Sequence, residues 1–226
     1  MNQRLKTIAD MVPYGRGLID VGSDHGYLPL SLAQNAYPGM LFASDINELP
    51  LQSAERAAKK AGMEDRIRFL LCDGLDACPP EQIDCIVIAG MGGDLICRIL
   101  DRAEWCMNSA YTLLLQPMTK AEVLRYWLVN NGYTLTEERL VRDGFLYQII
   151  KAEFSGNMPL TDAELFSGAL RNICGDPLAA EHLAALTLRF EKEIRGLRQS
   201  AEPDSGKLAL CRTILSQLEK MKGELL

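Results

Sequence analysis

The sequence predicts an α/β fold in which a mostly parallel, seven-stranded sheet ends in an antiparallel hairpin and is followed by an α-helical extension. Short apolar runs bounded by turn residues alternate with helical patterns over residues 17–130, which is typical of a parallel sheet covered on both faces. Two consecutive strand-like segments joined by a tight turn follow at residues 133–154. Beyond residue 155, apolar residues recur only at helical spacing.

The individual elements follow from this alternation. A short leading helix is predicted at residues 3–12. The strands are predicted, in chain order, at residues 17–21, 40–44, 67–71, 83–89, 111–115, 133–141 and 147–154. The helices between them are predicted at residues 27–36, 48–61, 94–102 and 120–130. The turn 142–144 joins the last two strands and makes them antiparallel.

The extension is predicted to contain a helical hairpin. Thr161 and Glu164 have the spacing of a capping box at a helix start. Two apolar seams have a/d-type spacing, one formed by Leu183, Leu186, Phe190, Ile194 and Leu197, the other by Leu208, Cys211, Leu215 and Leu218. The segment 201–206 lies between the seams and predicts an antiparallel turn. We therefore expect one domain at residues 1–155 and a helical domain at residues 156–226.

The composition and net charge of the chain limit the classes of protein to which it can belong. The 226 residues suffice for one sizeable domain and a small extension, and a hydrophobic content of 48% is ordinary for a globular chain. No apolar run approaches the ~20 residues of a membrane span, and the first residues are too polar for a secretory signal. We expect a cytoplasmic protein with no membrane partner. The net charge of −6 disfavours general nucleic-acid binding but is compatible with a local basic stripe.

The cysteines do not predict a metal site. The chain has seven cysteines and two histidines, and no two cysteines form a C-x-x-C pair. Several cysteines, such as Cys85 and Cys97, fall at apolar positions of predicted strands or helices. We expect small, buried, reduced thiols and no bound metal.

The turn after the first strand is the most informative segment of the chain. It reads Gly22-Ser23-Asp24-His25-Gly26 and separates a buried strand from a helix. Gly22 and Gly26 carry no Cβ, so the backbone can turn sharply and a ligand can approach it closely. The amides that begin the following helix can hold a polar or anionic group. The turn therefore predicts a nucleotide-type cofactor at the first strand of an open α/β sheet.

Acidic residues follow the second and third strands. Asp45 lies about 20 residues beyond the turn, where a carboxylate can accept hydrogen bonds from both ribose hydroxyls. The alternative is that Asp45 caps the next helix, a position for which Asn47 is better placed. Asp73, followed by Gly74, is expected to accept a hydrogen bond from an adenine amino group. The alternative there is a simple Asp-Gly turn.

The loops expected after the fourth and fifth strands border the same edge of the sheet. The first reads Ala89-Gly90-Met91-Gly92-Gly93, and its glycines suit a place where a ligand passes close to the backbone. Met91 can offer a polarizable apolar surface to a planar base, although a plain turn is the alternative. The second reads Gln116-Pro117-Met118, which either borders the substrate pocket or is only a loop fixed by its proline.

Asp24 and His25 lie inside the first turn. A charged side chain such as Asp24 within this turn either has a function or is held by local amides. His25 is expected to orient the turn rather than to act as a base.

These motifs carry a family resemblance. A β/α series that ends in a hairpin is the strand order of class I, Rossmann-like S-adenosylmethionine-dependent methyltransferases, whereas most nicotinamide-binding domains stay parallel. The first turn through Pro29, the glycine-rich segment 89–93, the segment 116–118 and the helical hairpin together closely resemble the bacterial TrmK family, over essentially the whole chain. Members are tRNA (adenine-N1)-methyltransferases that modify adenine 22 in the D-arm. The resemblance implies S-adenosyl-L-methionine as cofactor and tRNA as partner, and we expect a monomer rather than an obligate oligomer.

The resemblance also assigns candidate site residues. By position, the donor site comprises Asp20, Gly22, Ser23, His25, Gly26, Asp45, Ile46, Asp73, Gly74, Ala89 and Gly90. Many methyltransferases that act on base amino groups have a polar residue, two prolines and an aromatic residue at the position of Gly90 and Met91. This chain lacks that signature. Asp24 and Met91 are the catalytic candidates, with the Asp24 carboxylate placed to stabilise positive charge on the product base.

The helical hairpin is expected to help hold the tRNA. The candidate contacts are Lys192, Arg195, Arg198 and Lys207, and the alternative is an ordinary solvated helix face. Three other functions remain open: a methyltransferase for a small molecule, a nicotinamide-dependent dehydrogenase, and a non-catalytic RNA-binding protein with a donor-type fold. The missing third glycine of G-x-G-x-x-G and the terminal hairpin count against the dehydrogenase.

Overall fold

One mixed sheet flanked by helices forms most of the molecule, and further helices follow it. The computed structural model describes every residue except Arg16, Asn157, Ala201, Pro203 and Leu226. The strands are β1 (Gly17–Val21), β2 (Met40–Asp45), β3 (Ile67–Leu71), β4 (Cys85–Gly92), β5 (Thr112–Thr119), β6 (Tyr133–Asp143) and β7 (Phe145–Phe154). The helices are α1 (Gln3–Met11), α2 (Tyr27–Gln34), α3 (Glu48–Lys60), α4 (Gly93–Arg102), α5 (Ala121–Asn130), α6 (Asp162–Ser167), α7 (Leu170–Ile173), α8 (Ala179–Gln199) and α9 (Ser205–Glu224).

The sheet has the predicted architecture. Its strand order is β3-β2-β1-β4-β5-β7-β6. The strands from β3 to β5 are parallel, and β7 pairs antiparallel with both β5 and β6. The order reverses at β1, so the crevice at the carboxyl ends of β1 and β4 is where an open α/β sheet binds its ligand.

Two apolar layers cover the faces of the sheet. Ile19 and Ile86 belong to the core on one face, and their strand neighbours Leu18 and Val87 belong to the core on the other. Successive side chains of a strand point to opposite faces, so every residue of β1 is buried. For this reason the central strands consist mainly of apolar residues and do not alternate apolar with polar ones.

Two predicted loops are in fact strand. We predicted that the fourth strand ends at Ala89 and the fifth at Leu115, but β4 continues to Gly92 and β5 to Thr119. The two strands stay paired through Gly92↔Thr119, with register shifts on either side of Met91. The glycines and the proline that predicted loops lie in this irregular pairing, where a bulge tolerates residues that regular strands disfavour.

The helical extension has a core of its own. The predicted capping box at Thr161 is present, with both of its hydrogen bonds to Glu164. Of the predicted α8–α9 seam, Leu197, Leu208 and Leu215 are partly buried against this core. Ile214 and Met221, which were not predicted, lie inside it with Leu218. The remaining predicted seam residues pack in this core. The linker residue Asn157 and the turn residues Ala201 and Pro203 lie outside the described residues.

A buried ion pair of the sheet domain, Arg125–Glu138, lies where the extension meets the sheet, and its side chains are 1% and 2% exposed. Arg125 Nε donates to Glu138 Oε1 at 2.8 Å, and its other nitrogens donate to the Leu165 carbonyl and to Gln148. Glu138 Oε2 in turn accepts from the Ala169 amide at 2.7 Å. Each charge is therefore paired and hydrogen-bonded at once, which a buried charge requires.

The described residues also bear on membrane helices, metal ligands and cysteines. None of the helices among the described residues is long and apolar enough to cross a membrane. The described residues also contain no group of three or more metal-ligating side chains arranged to hold an ion. The cysteines are free thiols; Cys174 is exposed, Cys72 is half-buried and the others are buried.

Candidate functional site

The turn between β1 and α2 is built from left-handed residues. Gly22, Asp24 and Gly26 have φ angles of +69°, +49° and +67°. Glycine suits this positive φ, and a Cβ on Gly22 would force the terminal methyl group of Met91 to move. Asp24 adopts the same region as a non-glycine residue, which aspartate tolerates better than most side chains. The turn is held to β2 by the Gly22 and Ser23 amides, which donate to the Ser44 carbonyl at 2.8 and 2.9 Å.

Asp20 is a buried carboxyl at the end of β1. Its Oδ2 accepts a hydrogen bond from Ser23 Oγ at 2.6 Å. Burial raises the pKa of Asp20 to about 7, against the opposing effects of the Ser23 hydrogen bond and of the Arg4 charge. A carboxyl with a pKa close to neutrality, lying in a cleft, is a recognised mark of a functional site.

Asp45 is likewise buried at the end of β2, and the N-cap of the next helix is Asn47, as expected, and not Asp45. Its Oδ1 accepts from the Asn47 amide at 2.8 Å, and its Oδ2 lies 3.4 Å from the Asp24 amide. Asn47 occupies the N-cap position of α3, but its side chain makes no capping hydrogen bond. The carboxylate thus fixes the turn and retains acceptor capacity towards the cleft. The next residue, Ile46, is 61% exposed.

Asp73 and Gly74 lie beyond β3 at the same edge. Asp73 Oδ2 accepts from Arg102 at 2.7 Å, and Arg102 also pairs with Asp76. Gly74 has φ +62° and packs against Ile99 of α4. Arg102 was not singled out from the sequence, because a single basic residue near the end of a helix carries no motif.

A cavity of about 350 Å³ brings several of the predicted residues together. Its walls come from α1, the first turn and the end of β4, and include Asn2, Arg4, Asp20, Gly22, Ser23, Asp24, Tyr27, Ala89 and Gly90. Asp45, Asp73 and Gly74 do not line this cavity; they follow the next strands along the same edge. The cavity is open at the carboxyl ends of β1 and β4, the ligand position of this sheet type.

Arg4 is the functional candidate that sequence reasoning missed. Its guanidinium donates to Gln116 Oε1, which also accepts from the Gly90 amide at 3.1 Å. Gln116 is fully buried, so it does not border a pocket as predicted; only its neighbours Pro117 and Met118 line one. The contact between Arg4 and Gln116 spans 112 positions, which no local pattern reveals.

Asp24 and His25 differ from the core of the turn because their side chains are exposed, 67% for Asp24 and 48% for His25. Among the described residues no backbone amide donates to the Asp24 carboxylate. Its Oδ2 lies 3.7 Å from His25 Nε2. His25 Nδ1 lies 3.2 Å from Ser53 Oγ, which ties the turn to α3. This contact matches the orienting role expected for His25. The Asp24 carboxylate faces the cavity instead of being satisfied locally.

Two of the four predicted tRNA contacts on the helical hairpin have carboxylate partners. Lys207 pairs with Glu193 at 2.8 Å, and Arg195 lies 4.0 Å from Glu191. Lys192 and Arg198 are exposed and have no ion-pair partner among the residues the structure describes. The residues at 192, 195 and 198 follow one another at intervals of three, so they lie along one side of α8, within about a third of its circumference.

Comparisons with known proteins agree with this geometry. A family model described as a methyltransferase domain matches residues 1–150. The chain is 30% identical to the tRNA (adenine(22)-N(1))-methyltransferase of Bacillus subtilis (strain 168), over 98% of this chain and 95% of that protein. The crystal structure of the B. subtilis M1A22 tRNA methyltransferase TrmK superposes with a TM-score of 0.86 at 27% identity, covering 98% of each chain. A Streptococcus pneumoniae protein in complex with S-adenosyl-L-methionine has a TM-score of 0.79 at 28% identity, covering 98% of this chain and 99% of its own.

Proposed function

The chain belongs to the family of tRNA (adenine(22)-N(1))-methyltransferases, and from this premise we propose that it transfers the methyl group of S-adenosyl-L-methionine to N1 of adenine 22 in the D-arm of tRNA. The observation that supports this most strongly is the cavity at the carboxyl ends of β1 and β4, with a buried acid, a glycine turn and an exposed carboxylate around it. Family membership extends over both parts of the chain, so the helical extension belongs to the proposed function as well.

The residues around the cavity fit the donor. S-adenosyl-L-methionine is a sulfonium that supplies an electrophilic methyl group when it is bound. Gly22 presents backbone without a side chain, and Asp20 supplies an acceptor for an ammonium group. The Asp45 carboxylate accepts hydrogen bonds from the ribose hydroxyls. Asp73 and Gly74 contact the adenine end of the donor. Ile46, which follows Asp45 in the chain, is exposed. Ser23, His25 and Gly26 hold the turn, while Ala89 and Gly90 form the opposite wall.

No general base is needed for this reaction, because N1 of adenine has a lone pair and carries no proton. The protein instead has to align N1 with the methyl carbon and the sulfur, and such positioning can contribute about 7–11 kcal/mol to lowering the barrier. The product base becomes positively charged, and the Asp24 carboxylate stabilises that charge. Met91 provides an apolar surface for the base. A target base stacked or paired within folded tRNA has to be turned out first.

In this proposal the two parts of the chain have different roles, catalysis and tRNA binding. Residues 1–155 carry the chemistry, and residues 156–226 help to hold the tRNA through Lys192, Arg195, Arg198 and Lys207. The protein acts as a monomer. Because these contacts are to phosphates, tRNA affinity should fall with rising salt concentration.

The test is methyl transfer from labelled S-adenosyl-L-methionine to an unmodified tRNA transcript that carries adenine 22. A matched transcript with guanine 22 serves as control, and nucleoside analysis identifies the product. We expect 1-methyladenosine in the first transcript and no label in the second. Absence of transfer to the adenine 22 transcript, or equal labelling of both, would overturn the proposal.

A further inference from the structure

A second concave surface lies between the sheet and the helical extension, and we refer to it as the junction groove. It has a volume of about 440 Å³ and lies between the end of β5, the start of β7, α6 and α8. The residues that matter for the argument are Met118, Lys120, Phe145, Tyr147, Phe166 and Arg189. None of them was assigned a role in the donor site.

The groove exposes aromatic and polarizable surface. Phe145, the first residue of β7, is 75% exposed, and Met118 is 45% exposed. The Phe145 and Tyr147 rings lie edge to face, with centroids 6.4 Å apart. A large apolar ring held in water at the tip of a hairpin has no folding role, whereas exposed aromatic rings are what unpaired nucleobases stack on.

The opposite wall supplies a cation. Arg189 is exposed on α8, and its guanidinium lies 5.4 Å from the Phe166 ring centroid and 5.5 Å from that of Phe190. Among the described residues Arg189 has no carboxylate partner, in contrast to Lys120 on the same groove, which pairs with Asp94. Stacking on two rings orients the guanidinium and leaves its hydrogen-bonding capacity for a ligand such as phosphate.

The groove adjoins the donor cavity. The Tyr147 ring lines the groove, and the Arg4 guanidinium, which lines the cavity, lies 5.6 Å from its centroid. Arg4 is bonded to Gln116, which holds the Gly90 amide at the cavity wall. The groove is therefore next to the place where the methyl group is delivered but separated from it by the Arg4–Tyr147 pair.

We propose that the junction groove binds an unpaired nucleotide flanking the target adenine, with its base stacked on Phe145 and its phosphate at Arg189. This inference rests on the proposed function, because it requires a tRNA substrate. It also explains why the groove is formed jointly by the sheet domain and α8. A nucleotide seated there would fix the neighbouring base in front of Gly90 and Met91.

The experiment measures tRNA affinity over a series of salt concentrations, with the full-length protein saturated with S-adenosylhomocysteine. The variants are Phe145→Ala, Phe145→Trp and Arg189→Ala. The matched control is Tyr14→Ala, since Tyr14 is an 87% exposed aromatic residue near the opposite, amino-terminal end of β1. All of these side chains are exposed, so the variants are expected to fold.

We expect Phe145→Ala to weaken tRNA binding about 10-fold with an unchanged salt slope, because stacking is lost and no charge is removed. Phe145→Trp should restore binding. Arg189→Ala should reduce the slope of log affinity against log salt by about one. Tyr14→Ala should leave both quantities unchanged.

Other results would overturn the inference without touching the proposed function. If the wild-type protein methylates adenine 22 but Phe145→Ala binds tRNA as wild type does, the groove does not hold a nucleotide. A change of oligomeric state in Phe145→Ala with unchanged tRNA affinity would assign the groove to a second copy of the chain. Failure of wild-type methyl transfer is a separate result and would refute the proposed function itself.

Discussion

The donor edge of the sheet and its junction with the helical extension are built by opposite means. At the donor edge, left-handed turn residues and partly exposed carboxylates, such as Asp24, surround an open cavity. At the junction, Arg125 and Glu138 are almost wholly buried and their hydrogen bonds are directed to named partners. The cavity is therefore formed by local backbone geometry, whereas non-local contacts, among them this buried charge network, join the two parts of the chain.

The largest expected effect is at the junction. Arg125→Met leaves Glu138 buried and unpaired, which should lower the free energy of unfolding by about 3–5 kcal/mol in urea denaturation. The control is Arg142→Met, which breaks the exposed pair between Arg142 and Glu181 across the same junction and should cost at most about 1 kcal/mol. Equal costs for the two variants would show that the buried pair does not stabilise the junction.

The next effect tests the chemistry of the donor edge. Asp24→Ala should lower kcat for tRNA methylation about 100-fold, or ~2.7 kcal/mol, since the carboxylate that stabilises the product charge is lost. Donor affinity, measured by calorimetry with S-adenosylhomocysteine, should change little. Equal losses in rate and donor affinity would instead make Asp24 part of the donor site.

A smaller effect separates cavity geometry from general backbone strain. Gly22→Ala and Gly62→Ala both place an alanine at positive φ, which costs about 1–2 kcal/mol of stability. Only at Gly22 would the new Cβ also collide with Met91; nothing lies within 4 Å of it at Gly62. Gly22→Ala should therefore lose donor affinity, because the Met91 side chain has to move beside the cavity, whereas Gly62→Ala should bind the donor normally. Indistinguishable variants would contradict this assignment.

The most gradual effects, at most about 1.4 kcal/mol for each pH unit, are in the pH dependence of stability, where the two regions should respond with opposite sign. Burial raises the pKa of Asp20 at the donor edge to about 7, so the folded state binds the extra proton and its stability falls as pH rises from 4 to 7. Burial and the Arg125 charge lower the pKa of His182 at the junction to about 4, so stability there falls as pH drops from 6.5 to 4.

Two variants separate these contributions in unfolding measurements from pH 4 to 8. Asp20→Asn should remove the loss on the alkaline side and His182→Gln the loss on the acid side, each by up to about 1.4 kcal/mol per pH unit. An unchanged pH profile in Asp20→Asn would mean that Asp20 is already ionised in the folded protein.

The sequence predicted what is encoded locally. The bounds of β1 and β3 and the capping box at Thr161 are confirmed, because each depends on a few adjacent residues. The ends of β4 and β5 were wrong, because pairing between two distant strands carries glycine and proline beyond the regular sheet. Within the α8–α9 seam, the sequence predicted Leu215 but missed Ile214, since α9 packs on α6 as well as on α8.

Some residues of the candidate site could likewise be identified from the sequence, and others could not. The turn residues and Asp45 could be identified because glycine and acidic residues at fixed spacing form a motif. Arg4 and Arg125 could not, because their partners lie 13 to 139 positions away in the chain. The contact of Gln116 with Arg4 was missed for the same reason. The junction groove was missed for the same reason: it exists only once the β6–β7 hairpin meets α8.

The most direct test is to measure S-adenosylhomocysteine affinity and tRNA affinity separately for Gly22→Ala and Phe145→Ala. Our account predicts a crossed result. Gly22→Ala should lose affinity for S-adenosylhomocysteine and keep its affinity for tRNA, whereas Phe145→Ala should lose tRNA affinity and keep S-adenosylhomocysteine affinity. If either variant loses both affinities equally, or if both variants lose the same one, the donor edge and the junction groove are not the separate sites described here.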